Sequence, residues 1–355
     1  MIKKVLKKIG IVVSVIALVV VAFIGALTIT EYNPSDTLDL DINGSATNTV
    51  SIGDTLKIIT WNMGYGALSE NADFFMDGGT SVMTASKDQV LENTNAIIST
   101  IDEENADIVF LQEVDTKSKR SHKVNEVEMI TNHFNNYQNS YAYNYKCLYV
   151  PYPLPTIGTV NSGILTLSNI SMNSSVRQKL PCPFSWPVSV ANLKRCLLIS
   201  RSSIEGTDKE LVYINLHLEA YDSGEGKEKQ TKLLKSILES EVEKGNYVIA
   251  GGDFNQVFSS YDTSDYPLIS EDLWQPGSID TDAFSSDLQF EADTSFPTCR
   301  SLDKAYKDAD KDNFQYYMLD GFIVSSNLQV EEVKTINKDF KNTDHNPVSI
   351  KVTLK

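Results

Sequence analysis

Six short polar motifs occur in one order along this 355-residue chain: Trp61-Asn62-Met63, Gln112-Glu113-Val114-Asp115, Asn215-Leu216-His217, Gly252-Asp253-Phe254-Asn255, Leu319-Asp320-Gly321-Phe322 and Thr343-Asp344-His345-Asn346-Pro347. Together they offer a carboxylate suited to a hard cation (Glu113), two amides (Asn62, Asn255), two histidines (His217, His345) and further carboxylates (Asp253, Asp320, Asp344). That inventory can hydrolyse a phosphate ester with a divalent metal. Each piece alone has a plainer reading. Asn62 by itself is a turn residue, Glu113 a surface acid at a loop start, and His217 a core histidine with a satisfied ring. The ordered set is far harder to read as coincidence.

Residue chemistry assigns roles. Glu113 closes the apolar run at 108–111, and a carboxylate at a strand exit is a natural oxygen ligand for Mg²⁺, with Mn²⁺ as the alternative. Asn62 can complete the outer shell of that metal or hold Glu113 in place. In Gly252-Asp253-Phe254-Asn255, strand alternation sends Asp253 and Asn255 to one side, where they can orient water and hydrogen-bond a phosphoryl oxygen. His217, as an imidazolium, can offset charge on those oxygens. His345 can act as general base on water with Asp320 orienting it. His122 and His133 lack such surroundings and read as structural or surface residues. Lys117, Lys119, Arg120 and Arg195 read as solvated charges, with Arg120 within reach of a substrate phosphate.

These motifs need strands to deliver them to one rim. Apolar, β-branched runs at 56–61, 108–111, 162–167, 197–200, 211–216, 247–250, 316–324 and 347–354 supply them, with tyrosine-rich strands over 141–149. Helical periodicity marks 88–103, 123–134 and 225–244, while 64–87 and 257–311 read as long loops. Strands mixed with a few helices over about 300 residues and no evident linker favour one α/β domain, 55–355.

Ahead of it, Lys3, Lys4, Lys7 and Lys8 precede an uncharged run over 9–30. About 20 apolar residues suffice to cross a hydrocarbon core of roughly 30 Å. The lysines put the N-terminus inside the cell membrane and the remainder outside. Residues 1–30 therefore read as a single-pass anchor; a cleaved signal peptide, with Ala26-Leu27-Thr28 as a passable site and a secreted product, is the alternative. Residues 31–54, rich in Asp, Asn, Ser, Thr and Gly, read as a flexible tether with one short strand near 49–52. The net charge of −16 and pI near 4.7 argue against wrapping long nucleic acid without excluding a nuclease. The four cysteines show no CxxC spacing and read as free thiols, one disulfide being the alternative.

The motif order, with Asn161-Ser162-Gly163 between the second and third motifs, resembles the endonuclease/exonuclease/phosphatase superfamily across 56–355. The resemblance implies a four-layer α/β/β/α sandwich of two packed mixed β-sheets flanked by helices, here preceded by the N-terminal transmembrane helix. It implies Glu113 as main Mg²⁺ ligand with Asn62 beside it and Asp344 in support. Asp253 and Asn255 would position water and phosphate, His217 would stabilise the phosphoryl group, His345 would act as base with Asp320, and Asn161 would lie near His217. The implied substrate is a phosphoester of nucleic acid or phospholipid, with no obligate protein partner. An inositol-polyphosphate-type phosphomonoesterase or a non-catalytic binding module on the same fold are the alternatives. No membrane-contacting hairpin and no dense basic groove is recognisable, so 64–87 and 257–311 are the expected specificity elements.

Overall fold

The apolar runs that open the site motifs form strands because both of their faces are covered. In the computed structural model, which describes residues 2–222 and 224–355, consecutive residues of one strand enter different cores. Ile58, Ile108 and Phe110 meet Tyr213, Ile249 and Phe322 in a central core. Their neighbours Ile59, Val109 and Leu111 face the other way, against Ile97, Ile98, Ile101 and Ile130 of two helices. On the far side, Val212, Ile214 and Val248 pack on Leu234 and Leu238 of a third helix. Strands buried on both sides carry continuous rather than alternating hydrophobicity, which is why they stand out in the sequence. The result is the four-layer sandwich.

The chain runs α1 (Ile2–Ile29), β1 (Thr37–Asp39), β2 (Asn43–Gly44), β3 (Val50–Ser51), β4 (Thr55–Asn62), α2 (Lys87–Glu104), β5 (Ile108–Asp115), α3 (Glu126–His133), β6 (Gln138–Val150) and β7 (Gly158–Ser168). It continues through β8 (Ser174–Lys179), β9 (Cys196–Glu205), β10 (Glu210–His217), α4 (Glu225–Glu243), β11 (Tyr247–Asp253), β12 (Gln256–Phe258), β13 (Gly277–Ile279), β14 (Leu288–Glu291) and β15 (Cys299–Arg300). Last come β16 (Tyr316–Tyr317), β17 (Asp320–Ser325), β18 (Leu328–Thr335) and β19 (Val348–Leu354). One sheet has the order β18-β19-β4-β5-β7-β6-β2, the other β1-β8-β9-β10-β11-β17-β14 with β3 on β9.

Each sheet holds one parallel central pair, β4–β5 and β10–β11, and in each the crossover contains a helix, α2 or α4. Helix α2 begins on Ser86, whose hydroxyl accepts from the Gln89 N–H, and ends on Asn105 in the left-handed conformation.

Two expectations need correction. Residues 31–54 are not a free tether: β1 pairs with β8, β2 with β6 and β3 with β9, so the segment is laid across both sheets. Leu38, Leu40 and Ile42 alternate with Asp39 and Asp41, and Leu40 and Ile42 pack against the core while the backbone pairs with neighbouring strands. The helix expected over 123–134 is shorter, starting at Glu126 because Asn125 caps it, its side chain accepting from the Glu128 N–H at 3.4 Å. Among the described residues all four cysteines are free. Helix α1 is a continuous 28-residue helix with mean hydropathy 3.0 over its most apolar stretch, exposed except near its end, where Leu27 is buried. It is a candidate membrane span; a signal sequence has the same character.

Candidate active site

The carboxyl ends of the two parallel pairs meet at one rim. Asn62 ends β4 opposite Gln112 of β5, and His217 ends β10 opposite Asp253 of β11. Ends of parallel strands collect functional groups because the chain leaves the sheet there. A hydrogen bond ties the two sheets at this point: the Asn62 amide donates to Asp253 Oδ2 at 3.0 Å and to Glu113 Oε1 at 3.3 Å, while its oxygen accepts from the Gly64 N–H at 3.0 Å.

Glu113 is aimed by a bulge. The β5–β7 register slips between Leu111 and Val114, and Glu113 adopts φ +54°, re-directing its side chain as bulges beside active sites do. Burial raises its pKa; Arg120 opposes that, and the nearby Asp344 carboxylate adds to it. Asn255 likewise sits at φ +52°, two residues beyond Asp253, the last residue of β11. Strand alternation is therefore not what brings it to the site. Its left-handed backbone does, while its amide donates to the Leu218 carbonyl at 2.9 Å.

Asp253 is the hub. Besides Asn62, its carboxylate accepts from the Asn255 N–H at 2.9 Å and lies 3.4 Å from His217 Nε2 and 3.7 Å from His345 Nε2. Burial pushes its pKa up to about 6, against the pull of His345 and with repulsion from Asp320. Asp320, paired in register with Asp253 across β11–β17, bonds His345 Nδ1 at 2.8 Å. Burial would lower the His345 pKa, but Asp320, Cys299 and Asp253 together hold it well above the usual histidine range. His217 goes the other way: burial, with Arg195 and His345, depresses it well below that range. That depression weighs against the imidazolium expected, and the ring's Nδ1 is unpartnered among the described residues.

Neither Arg120 nor Arg195 is a solvated charge: Arg195 is buried and the Arg120 side chain is only 13% exposed. Arg120 is clamped by Asp115 at 3.2 and 3.0 Å and by Ser162 at 3.1 Å, lies over the Tyr65 ring at 3.6 Å and reaches to 4.0 Å from Glu113. Arg195 pairs with Glu219 at 3.4 Å and donates to the His217 carbonyl at 3.2 Å. Asn62, Glu113, Arg120, His217, Asp253, Asn255, Asp344 and His345 all line one cavity of about 720 Å³. Asp320 stands behind His345, outside that lining. Asn161 is also outside it: Ser162 lines the cavity instead, and the pleat turns its neighbour to the other face.

The cavity brings in groups that sequence reasoning did not single out. Asp77, in the long loop after β4, accepts from the Tyr221 hydroxyl at 3.0 Å across the cavity. Burial pushes its pKa to about 7 against that hydrogen bond, with Asp344 and Glu113 adding repulsion. Cys299 bridges to His345 by backbone pairing and clusters with Asp344 and His345 within 4.8 Å. Burial raises the Cys299 thiol to about 12, so it stays protonated and is a poor ligand, and His345 is already engaged with Asp320. The oxygen pair Glu113 and Asp344 is the better match for a hard cation, because the Asp344 carboxylate raises the proton affinity of Glu113 and a positive charge between them relieves that repulsion. Gly64 makes room for it: at φ +51°, a side-chain carbon there would lie 2.9 Å from Asp344 Oδ1.

Comparison with known proteins agrees with this geometry. The model of the Endonuclease/Exonuclease/phosphatase family matches residues 59–306. No curated protein matches the chain. Among solved structures, an endonuclease/exonuclease/phosphatase from Beutenbergia cavernae DSM 12333 is 16% identical with TM-score 0.54, covering 84% of this chain and 72% of that one. A functionally unknown conserved protein from Enterococcus faecalis V583 is 14% identical with TM-score 0.54, covering 84% and 100%. D. rerio TDP2 complexed with a single strand DNA product is 15% identical with TM-score 0.52, covering 84% and 99%. At such identities these likenesses speak for the fold, the two packed sheets with their flanking helices. The family match extends from the middle of β4 to beyond β15, and on that ground the chain belongs to the endonuclease/exonuclease/phosphatase family and is a phosphoester hydrolase.

Proposed function

We propose that the chain is a Mg²⁺-dependent phosphodiesterase working outside the cytoplasm, with His345 as general base. The observation that carries this reading is the Asn62 amide, which joins the Glu113 carboxylate of one sheet to Asp253 of the other, beside both histidines. Glu113 and Asp344 would hold the cation, and Asn62 keeps Glu113 in position. When bound there, Mg²⁺ supplies positive charge to the phosphoryl oxygens and opposes protonation of His345. Asp320 fixes His345 Nδ1, leaving Nε2 to accept the proton of an attacking water. Asp253 and Asn255 orient that water and the phosphate. His217, neutral when the site is empty of anion, donates a hydrogen bond to a phosphoryl oxygen.

Two arginines already paired with Asp115 and Glu219 suit the single charge of a diester better than the double charge of a monoester. The lysines at 3–8 support an N-terminus inside and the folded domain outside. The test compares bis(4-nitrophenyl) phosphate with 4-nitrophenyl phosphate, using the full chain in detergent with Mg²⁺ or EDTA, alongside His345→Ala. Diester turnover abolished by EDTA and by the variant is the expected result. Equal turnover with EDTA, or an unaffected His345→Ala, sinks the mechanism; preference for the monoester sinks the diester assignment.

A further inference from the structure

The cavity has two ends of opposite character. One holds His217, Asp253 and His345; the other is walled by Phe23, Ile24 and Leu27, the last turns of α1. The helix that reads as a membrane span is thus part of the substrate cavity. Two segments frame the mouth beside it, the tip of the β6–β7 hairpin and the loop before β9. Both touch α1: Phe23 meets the Tyr149 ring at 6.1 Å, and the Trp186 indole donates to the Thr28 hydroxyl at 3.1 Å. A buried Lys194 pairs with Glu31 at 2.7 Å just past the helix end. The outer faces of these segments are apolar, with Tyr152 at 71%, Leu154 at 86% and Trp186 at 63% exposure. Exposed apolar clusters of this kind mark contact surfaces, and Trp and Tyr collect where hydrocarbon meets water. Trp186 bonded to Thr28 sets that level at the point where α1 turns polar.

We propose that the substrate is a glycerophospholipid of the membrane that α1 spans, taken in sideways. Its acyl chains lie against Phe23, Ile24 and Leu27 while its phosphodiester reaches His217 and Asp253. This rests on the phosphodiesterase reading above and on α1 remaining uncleaved. Continuity of the apolar wall with the span, and Arg120 and Arg195 at the polar end, match a molecule with a hydrocarbon body and an anionic head. In the reaction the water oxygen bonds to phosphorus and one ester P–O bond breaks. The water's proton passes to His345, and the leaving alkoxide takes up a proton. The products are one alcohol and one phosphomonoester.

The test uses the full chain reconstituted in phosphatidylcholine and phosphatidylglycerol vesicles with Mg²⁺, lipid products being read by mass spectrometry. Glycerophosphocholine, a single-stranded DNA oligonucleotide and bis(4-nitrophenyl) phosphate are run in parallel. Vesicle lipid turned over at least about 100-fold faster than its deacylated head is expected, because the bilayer holds the lipid beside the cavity mouth at a far higher effective concentration than the free head reaches. Ile24→Trp, which fills the apolar end, should lower the ratio of lipid to chromogenic turnover about tenfold by crowding out the acyl chain. Chromogenic turnover without lipid turnover, faster cleavage of the oligonucleotide than of lipid, or an unchanged ratio in Ile24→Trp would each overturn the proposal while leaving the phosphodiesterase reading intact. Absence of turnover on every substrate would overturn both.

Discussion

Replacing Asp320 by Asn separates orientation of His345 from mere contact with it. The wild-type bond from His345 Nδ1 to Asp320 Oδ2 is 2.8 Å long and buried. A hydrogen bond to a charged group is worth about 1.5–3 kcal/mol against about 0.5–1.5 for a neutral one. The difference, roughly 1–1.5 kcal/mol, lowers the basicity of His345. Burial, the largest influence on that ring and opposed chiefly by Asp320, then prevails. The amide NH₂ can also turn toward Nδ1, driving the ring proton to Nε2, where it blocks proton acceptance. Loss of general-base function costs about 10²–10⁴ in rate, or roughly 3–5 kcal/mol of barrier. Stability should fall by no more than about 1–1.5 kcal/mol, because Asp320 Oδ1 has no hydrogen-bond partner among the described residues and a neutral group is easier to bury. The assay is kcat/KM for bis(4-nitrophenyl) phosphate at saturating Mg²⁺ from pH 6 to 9, with thermal melting as the fold control. His345→Ala and the double variant complete a cycle, in which the double should be no slower than His345→Ala alone. An Asp320→Asn enzyme within about threefold of wild type, or additive losses in the cycle, would refute the reasoning.

Glu113→Gln should weaken Mg²⁺ or Mn²⁺ binding at least about tenfold by calorimetry, since it removes one of two hard carboxylates; unchanged affinity would move the metal elsewhere. Gly252→Ala should destabilise by more than about 3 kcal/mol in urea melts, because at φ +155° its side-chain carbon would fall 1.9 Å from the Leu216 carbonyl oxygen of the paired strand. Acid should loosen the end of α4. Burial would raise the Glu241 pKa, but hydrogen bonds from Arg201, Lys244 and Asn246 bring it down from 4.5 to about 2. A depressed carboxylate stabilises above its unfolded pKa, so that contribution is complete above pH 4.5 and is lost as pH falls toward 2. At 1.36 kcal/mol per unit it is at most about 3 kcal/mol, reduced by screening at the partly exposed Arg201. Glu241→Gln should flatten the stability profile in that window, and an unchanged acid limb would contradict the assignment.

The strands and their site motifs were legible because both faces of each strand are buried, so Ile58-Ile59 or Val109-Phe110 reads as an uninterrupted apolar run. The sequence also carries the polar residue that follows each run. It carries less about how that residue is aimed. The positive φ of Glu113 and Asn255 is set by a bulge and a turn whose partners are distant in the chain. Arg120 and Arg195 read as surface charges because their partners Asp115 and Glu219 are ordinary acids until folding buries both acids with Arg195 and covers most of Arg120. The one available signal was position: Arg195 immediately precedes the apolar strand β9. Residues 31–54 did carry a strand signal, Leu38, Leu40 and Ile42 alternating with Asp39 and Asp41, but it is brief and set among polar turn-forming residues. The apolar hairpin tip at 148–157 was hidden among prolines and tyrosines, and only its contact with α1 gives it meaning.

That strapped segment would limit how the proposed lipid hydrolase hunts. Because residues 37–51 clamp first to one sheet, then the other, then back, a domain held by α1 as proposed would not swing from the bilayer like a float on a line. It would ride close to the surface in one attitude, and its search would become two-dimensional. Its rate should follow the mole fraction of substrate in the leaflet rather than the amount in the tube, so diluting the substrate with inert lipid should slow it while adding more vesicles of the same composition should not.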